Sequence, residues 1–125
     1  MMKYNVTITG IGPEALEFLN PDLDLNFVII FNDDAPAELA ELAILHTAGS
    51  LTEAPAPGDT LKLGKKSYRI TAVGTEAVHT LSTLGHCTVA FGGGDTAYRP
   101  GCIMVEGDKP VTRDDLAEGE TIQIF

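Results

Sequence analysis

The sequence of 125 residues suits one folded domain, which we expect to span residues 1–125, since domains typically hold about 100 to 150 residues around one core. Its 44% hydrophobic and 21% charged residues exclude the disordered and fibrous classes. Eight basic residues against 18 acidic ones give a net charge of −10, which disfavours nucleic acid and anionic membranes as partners and suits a basic protein.

Hydropathy and cysteine usage indicate the compartment. The longest apolar run, 27–31, is far shorter than the roughly 20 residues of a membrane-spanning helix. The N-terminal residues alternate like a strand and lack the apolar core and cleavage site of a signal peptide, so we expect a cytoplasmic protein. Cys87 and Cys102 have no CxxC spacing and lie in apolar surroundings, which predicts buried thiols in a reducing compartment.

The first third of the chain predicts two strands and a helix. Residues 4–9 alternate with a period of two, and 27–31 form a β-branched run typical of a more deeply buried strand. Asp34 is a suitable N-cap for a helix with Pro36 in its first turn. The residues that this helix should turn to the core are Leu39, Leu42 and Ala43.

The end of this helix decides the setting of a histidine in the stretch AILHTAG. A continued helix would place His46 one turn beyond Leu42. A switch to strand near Ala43 would instead put His46 on one face with Ile44 and Ala48. We favour the switch.

A short pattern occurs twice, at 57–63 (PGDTLKL) and at 118–124 (EGETIQI). Each copy predicts a glycine turn that feeds a strand. The first strand continues through the loop 64–66 into SYRITAV, which predicts a β-hairpin.

A second short helix is predicted at 76–84, with Thr75 as its cap and Gly85 as a left-handed C-cap. Its inward side chains should be Val78, Leu81 and Leu84.

The remaining segments predict further strands. HCTVAF begins one at His86, the glycines 92–94 predict a loose hairpin turn, and GCIMV and the C-terminal TIQIF supply others. Seven or eight short strands and two short helices predict a mostly β fold, a barrel-like domain with helices across its openings.

Most candidate chemistry in the sequence is weak. The glycines 92–94 lack the GxxxxGK[ST] pattern of a phosphate cradle. His79, His86, Cys87 and Cys102 could assemble a zinc site, but they show no HxH, HExxH or CxxC spacing, so we predict no metal. Neither GxSxG nor the signature of a zinc deaminase is present.

Two histidines next to structural breaks therefore stand out, His46 and His86. From pattern alone, such histidines are most often core or rim residues without a chemical role.

Three segments change this weighting: APAELAELAILHTAGSL, PGDTLKLGKKSYRITAVG and TLSTLGHCTVAF. In this order and spacing the chain resembles, from about Tyr4 to Phe125, the glucitol/sorbitol-specific IIA component of the bacterial phosphoenolpyruvate-dependent sugar phosphotransferase system (PTS). The resemblance implies a β-rich barrel with short helices. It also implies that His46 is the phosphorylated residue and that His86 is a second characteristic histidine. The chain departs from the family at 42–45, where an aromatic-rich stretch is usual, and at Ala48, where some relatives carry histidine.

The family implies a phosphocarrier cycle. His46 would accept a phosphoryl group from the phosphorylated histidine carrier protein HPr and pass it to a cysteine on the IIB portion of a glucitol/sorbitol permease, with no cofactor. The Thr47 hydroxyl and backbone N–H groups near Gly49 are candidates to bind the phosphoryl group, and His86 to support it. The net charge of −10 would steer a basic partner.

Two other functions and the oligomeric state stay open at this point. A non-catalytic binding or regulatory barrel would make His46 structural, and a zinc-dependent domain would use His86 with Cys87 and Cys102. Exposed sheet edges would allow a homodimer.

Overall fold

The computed structural model describes residues 2–125. Over that range the chain forms nine strands, two α-helices and two 3₁₀ turns. The strands are β1 Tyr4–Ile11, β2 Leu19–Asn20, β3 Leu25–Asn32, β4 Ile44–His46, β5 Thr60–Leu63, β6 Lys66–Val73, β7 Cys87–Ala90, β8 Cys102–Glu106 and β9 Thr121–Ile124. The helices are α1 Ala37–Ala40 and α2 Thr75–Leu84, and the 3₁₀ turns are Pro21–Leu23 and Arg113–Leu116. No helix among the described residues is long and apolar enough to cross a membrane.

Eight of these strands close into a barrel in the order β3-β4-β1-β9-β5-β6-β8-β7, and pairing of β7 with β3 completes the ring. The remaining strand, β2, lies outside the ring and pairs with the start of β3. Most neighbours are antiparallel, but β4 runs parallel to β3 and β8 parallel to β7. The prediction of a mostly β barrel with two short helices is confirmed.

Alternating side chains explain why these strands close around one interior. On β1 the residues Tyr4, Val6 and Ile8 are buried while Asn5 and Thr7 between them are exposed, as a period of two requires. Further apolar residues that fill the barrel are Val28, Ile30, Leu61, Leu63, Ile70, Val89, Ile103, Val105, Ile122 and Ile124.

The repeated pattern in the sequence forms neighbouring strands. β5 and β9 pair antiparallel, with Leu61 opposite Ile124 and Leu63 opposite Ile122. Both predicted turn-and-strand units are therefore confirmed, as is the hairpin that joins β5 to β6.

The first helix differs from its prediction. It is a single turn, Pro36 rather than Asp34 precedes it, and Leu39 is 44% exposed. The segment after β3 must return to the level of Ile30, because that residue pairs with Ile44 in the parallel β4. The chain makes this return in residues 33–43, of which the single turn 37–40 is helical. The predicted switch to strand is confirmed.

The second helix lies where it was predicted, and Gly85 is its left-handed C-cap with φ 63°. Its first residue is Thr75, and Gly74 takes the capping position. The buried residues are Ala77 and Leu81, four apart, whereas Leu84 is 46% exposed. The expected core position of Leu84 is wrong. Ala77 and Leu81 lie on the face of this short helix that packs against β3, β7 and β8, whereas Leu84 is its last residue and stays exposed.

The hairpin predicted at glycines 92–94 is also wrong. The strands on either side, β7 and β8, pair parallel with Thr88 opposite Cys102. A tight turn reverses the chain, so a parallel pair requires the longer connection that residues 91–101 provide. The thiols of Cys87 and Cys102 are free and buried, as predicted. Burial raises the pKa of the Cys87 thiol to about 12.

Candidate functional site

His46 is the last residue of β4 and lies between β1 and β3. It pairs with Ile8 on the antiparallel side and with Asn32 on the parallel side. Because Ile44 and His46 are two residues apart on a strand, both side chains face the barrel interior. The exposed fraction of His46 is 0%, so the ring is closed off from solvent.

Both ring nitrogens of His46 meet backbone carbonyl oxygens. Nδ1 lies 2.7 Å from the Thr47 oxygen, and Nε2 lies 2.8 Å from the Gly85 oxygen. A carbonyl oxygen only accepts, and a neutral imidazole has one N–H to donate. In the neutral ring one contact is therefore a hydrogen bond and the other sets a nitrogen lone pair against an oxygen.

The C-terminus of α2 covers the ring. The carbonyl oxygen that meets Nε2 belongs to the C-cap residue Gly85, which is buried. A Cβ added at Gly85 would clash with Asn32 Oδ1 and lie 2.7 Å from His46 Cε1. Glycine at this position permits both the positive φ and the close approach of the helix end to the histidine.

Two buried polar atoms near the histidine lack partners. Among residues 2–125, the Tyr4 hydroxyl and Asn32 Oδ1 are buried and make no hydrogen bond. The Tyr4 ring meets the His46 ring edge to face, with the centroids 6.1 Å apart. An unpaired buried polar group costs about 1–3 kcal/mol, so its presence beside a candidate site calls for a reason.

Sequence reasoning missed Tyr4 and Asn32. In the sequence, Asn32 is the polar residue that follows the apolar run 27–31, and Tyr4 is one position of the alternating strand 4–9. The sequence holds a signal that could have identified Asn32. Val28 and Ile30 point inward on this strand, so Asn32, two residues further and directly after the apolar run 27–31, is a polar residue at the next inward position.

His86 is held against β3 rather than against the other imidazole. Its Nδ1 lies 3.1 Å from the Ile30 carbonyl oxygen, and its ring is tilted on Phe31 with centroids 4.6 Å apart. Among the hydrogen bonds of the described chain, none joins the two histidine rings. Their link is Gly85, which precedes His86 and contacts His46.

Thr47 and Gly49 differ in their relation to the ring. Thr47 contacts Nδ1 through its carbonyl oxygen, while its hydroxyl accepts a hydrogen bond from the Thr7 N–H at 3.1 Å. Gly49 is exposed, and a Cβ there would lie 2.6 Å from Val6 Cγ1 and 3.8 Å from Tyr4 Cε1. Gly49 therefore borders the Tyr4 side of the site.

Two exposed acidic residues lie beside the site on the protein surface. Asp33 and Asp34 come directly after β3 and are exposed. The Asp33 N–H donates a hydrogen bond of 2.7 Å to the His46 carbonyl, so the two backbones are adjacent, and the Asp33 carboxylate accepts a hydrogen bond of 3.1 Å from the Thr9 hydroxyl.

Within residues 2–125, no three His, Cys, Asp or Glu side chains come together as they would to hold a metal ion. The residues of the zinc alternative, His79, His86, Cys87 and Cys102, accordingly form no such cluster.

Two comparisons with known proteins identify one family, and a third shows the fold. The model of the family described as PTS system glucitol/sorbitol-specific IIA component matches residues 3–123. The glucitol/sorbitol-specific EIIA components of the PTS in Escherichia coli K12 and Shigella flexneri are each 38% identical over 120 residues, which cover 96% of this chain and 92% of the relative. A crystal structure of a PTS system IIA component from Enterococcus faecalis V583 has the same fold, with a TM-score of 0.73 at 24% identity over 94% of this chain and 96% of that one. The chain belongs to the glucitol/sorbitol-specific IIA family of the sugar phosphotransferase system.

Proposed function

We propose that this chain is a phosphocarrier in which His46 accepts a phosphoryl group from phospho-HPr and passes it to the IIB cysteine of a glucitol/sorbitol permease. The observation that carries the proposal is a solvent-shielded imidazole, oriented by two backbone carbonyls, in a chain of the IIA family. A shielded site protects a labile phosphohistidine from water.

The contacts of the ring favour one nitrogen as the nucleophile. A hydrogen bond from Nδ1–H to the Thr47 oxygen fixes the tautomer and leaves the lone pair of Nε2 free to attack. The N–P bond of phospho-HPr then breaks, its electron pair stays on the HPr ring, and a bond from Nε2 to phosphorus forms. The Gly85 carbonyl must move aside, because it lies 2.8 Å from Nε2.

Three neighbours support the site in this proposal. His86 ties the segment after Gly85 to β3 through the Ile30 carbonyl. Thr47 orients the ring through its carbonyl, and the backbone N–H groups near Gly49 are candidates to bind phosphoryl oxygens once the site opens.

Charge favours the proposed donor. HPr presents basic residues to its partners, and a net charge of −10 with Asp33 and Asp34 beside the site would steer such a face toward His46. We place the exchange in the cytoplasm, where HPr acts, with the permease as the acceptor at the membrane.

The test is phosphorylation with phosphoenolpyruvate, enzyme I and HPr, followed by intact mass. We expect one acid-labile phosphoryl group on the wild type and on His79→Ala, and none on His46→Gln. His79 is the matched control, since it is the exposed histidine of α2. His86→Ala should be labelled more slowly. Label that survives in His46→Gln would contradict His46 as the acceptor.

One observation favours a second function. The ring of His46 is fully buried and both nitrogens meet carbonyl oxygens, as in a histidine that only holds β4 to α2. The barrel would then be a binding or regulatory module. A folded wild type that takes up no phosphoryl group would select this function.

A further inference from the structure

The candidate site contains a polar side chain that has no assigned role, Asn32. It is the last residue of β3 and stands directly opposite His46 in the parallel pair β3–β4. Directly paired residues of neighbouring strands project to the same face of a sheet. The Asn32 carboxamide and the His46 imidazole are therefore side by side.

Gly85 shows how close the two side chains lie. A Cβ added to this glycine would clash with Asn32 Oδ1 and lie 2.7 Å from Cε1 of His46. Cε1 is the ring carbon bonded to both nitrogens, so the amide lies near the edge of the imidazole where a phosphoryl group would be attached.

The groups that contact the two ring nitrogens cannot bind a phosphoryl group. Both nitrogens meet carbonyl oxygens, from Thr47 and Gly85, and these would repel phosphoryl oxygens. A phosphoryl group in transfer requires hydrogen-bond donors. The Thr47 hydroxyl oxygen accepts the Thr7 N–H, and Thr47 follows His46 in the chain, so this hydroxyl projects to the opposite, exposed face of the sheet.

The Asn32 carboxamide has N–H donors, and its buried oxygen makes no hydrogen bond. The donors are the two N–H groups of Nδ2, and the unpaired atom is Oδ1. Rotation of the amide about the Cβ–Cγ bond exchanges these two atoms and turns an N–H toward the imidazole edge.

We propose that the Asn32 carboxamide is the side-chain donor that binds the phosphoryl group on His46. The amide is unsatisfied while the histidine is free, and it acquires its partner when Nε2 is phosphorylated. This inference rests on the proposed phosphocarrier function and adds to it a residue that contacts the transferred group.

The first experiment measures the rate of phosphorylation by phospho-HPr for the wild type, Asn32→Asp and Asn32→Ala. Asn32→Asp keeps the shape but replaces the donors with acceptors, and Asn32→Ala removes the amide. We expect both rates to fall about 100-fold or more, the loss typical of removing one donor from a site that stabilises developing charge. The matched control is Asn26→Asp, which adds the same charge at an exposed position of the same strand and should keep the wild-type rate.

Thermal melting separates this role from a structural one. Because the buried Oδ1 makes no hydrogen bond, Asn32→Ala should melt at or above the wild-type temperature while its phosphorylation slows. A lower melting temperature for Asn32→Ala, or phosphorylation of either variant at the rate of Asn26→Asp, would overturn the proposal. Failure to label the wild type would instead remove the phosphocarrier function itself.

A spectroscopic readout tests the contact directly. In ¹H–¹⁵N spectra, the side-chain NH₂ signals of Asn32 should shift when the wild type is phosphorylated, while those of Asn26 should stay in place. Asn32 signals that do not respond in a phosphorylated protein would contradict the contact.

Discussion

Two tyrosines of the barrel differ in what their hydroxyl groups meet. The Tyr68 hydroxyl donates a hydrogen bond of 2.9 Å to the Lys109 carbonyl, whereas the Tyr4 hydroxyl is buried without a partner. Burial raises the pKa of both phenols, that of Tyr68 to about 12, so both remain neutral donors at neutral pH.

This contrast predicts opposite effects of the same substitution. Tyr4→Phe should leave the free energy of unfolding unchanged or raise it by up to about 1 kcal/mol, because it removes an unsatisfied buried hydroxyl. Tyr68→Phe should lower it by about 1 kcal/mol, because the Lys109 carbonyl loses its donor. Urea titration of both variants measures the difference. A Tyr4→Phe protein that loses as much stability as Tyr68→Phe would show that the Tyr4 hydroxyl has a partner after all.

The histidine of the candidate site could be found from the sequence, but its surroundings could not. His46 stands out because a titratable ring interrupts an apolar run, and the family resemblance draws attention to it. Asn32 and Gly85 reach it from β3 and the end of α2, which are remote in sequence from β4. Such contacts depend on strand order and register, which local patterns do not encode.

At the scale of elements, the C-terminus of α2 determines the geometry of the site. Gly85 has φ 63°, and a side chain there would clash with Asn32 and crowd His46. Gly119 offers a comparison, since it has φ 95° but no atom within 4 Å of an added Cβ. A substitution at Gly119 therefore tests backbone strain alone, whereas one at Gly85 adds a steric clash to that strain.

We therefore expect Gly85→Ala to destabilise the protein more than Gly119→Ala. The left-handed backbone costs an L-residue about 1–2 kcal/mol at either position. Overpacking at Gly85 should add about 1–3 kcal/mol and slow phosphorylation of His46. Urea unfolding and the labelling rate of each variant test this. Equal losses of stability would mean that the helix end shifts freely and does not constrain the ring.

A partly buried ion pair joins β6 to the 3₁₀ turn Arg113–Leu116. Lys66 Nζ lies 2.7 Å from Asp115 Oδ2, which also accepts hydrogen bonds from the Thr112 N–H and hydroxyl. Burial pushes the pKa of Asp115 up, but these hydrogen bonds outweigh it and hold the pKa below its usual value. A depressed carboxyl pKa contributes stability above the ordinary value, near 3.9, and the contribution is lost as pH falls through the folded value.

Lys66→Met should therefore destabilise the protein in a pH-dependent way. At pH 7 we expect a loss of about 1–3 kcal/mol, since a mostly buried carboxylate loses its charged partner. The gap to the wild type should narrow below about pH 4, as Asp115 takes up a proton. Lys65→Met, at the exposed neighbouring lysine, is the control and should stay near the wild type at both pH values. A loss of stability for Lys66→Met that is independent of pH would point to side-chain packing instead.

Strands were easier to predict than helices and connections. Alternation and β-branched runs marked β1, β3, β5, β6 and β9 because each of these strands has one face toward a common interior. The length of α1 and the parallel pairing of β7 with β8 are determined by where the chain must return in the closed barrel. That requirement arises from closure of the whole sheet, so no local stretch could reveal it.

At the scale of the whole molecule, acidic residues flank both ends of β3. Asp33 and Asp34 follow the strand at the level of His46, and Asp22 and Asp24 precede it. All four are exposed. With a rise of about 3.3 Å per residue, the eight residues of β3 separate the two pairs by more than two Debye lengths of about 10 Å at 0.1 M salt.

The separation allows a test of electrostatic steering by position. If the acidic charge draws a basic donor to His46, raising ionic strength from roughly 20 to 500 mM should lower the bimolecular rate of phosphorylation about 10- to 100-fold. The double variant Asp33→Asn, Asp34→Asn should weaken this salt dependence and slow transfer at about 0.1 M salt, where the two acidic pairs act separately. The double variant Asp22→Asn, Asp24→Asn removes the same charge at the far end of β3 and should act less.

Electrostatic steering changes the rate at which the two proteins meet and does not change later steps, so a later step serves as the internal control. Spontaneous hydrolysis of the phosphorylated protein is unimolecular with respect to protein, so its rate should change little over the same range of salt. Equal effects of the two double variants would assign the influence to net charge rather than to the surface beside the site. A salt-independent transfer rate would mean that HPr finds His46 through contacts that are not ionic, and the charge of −10 would then serve solubility alone.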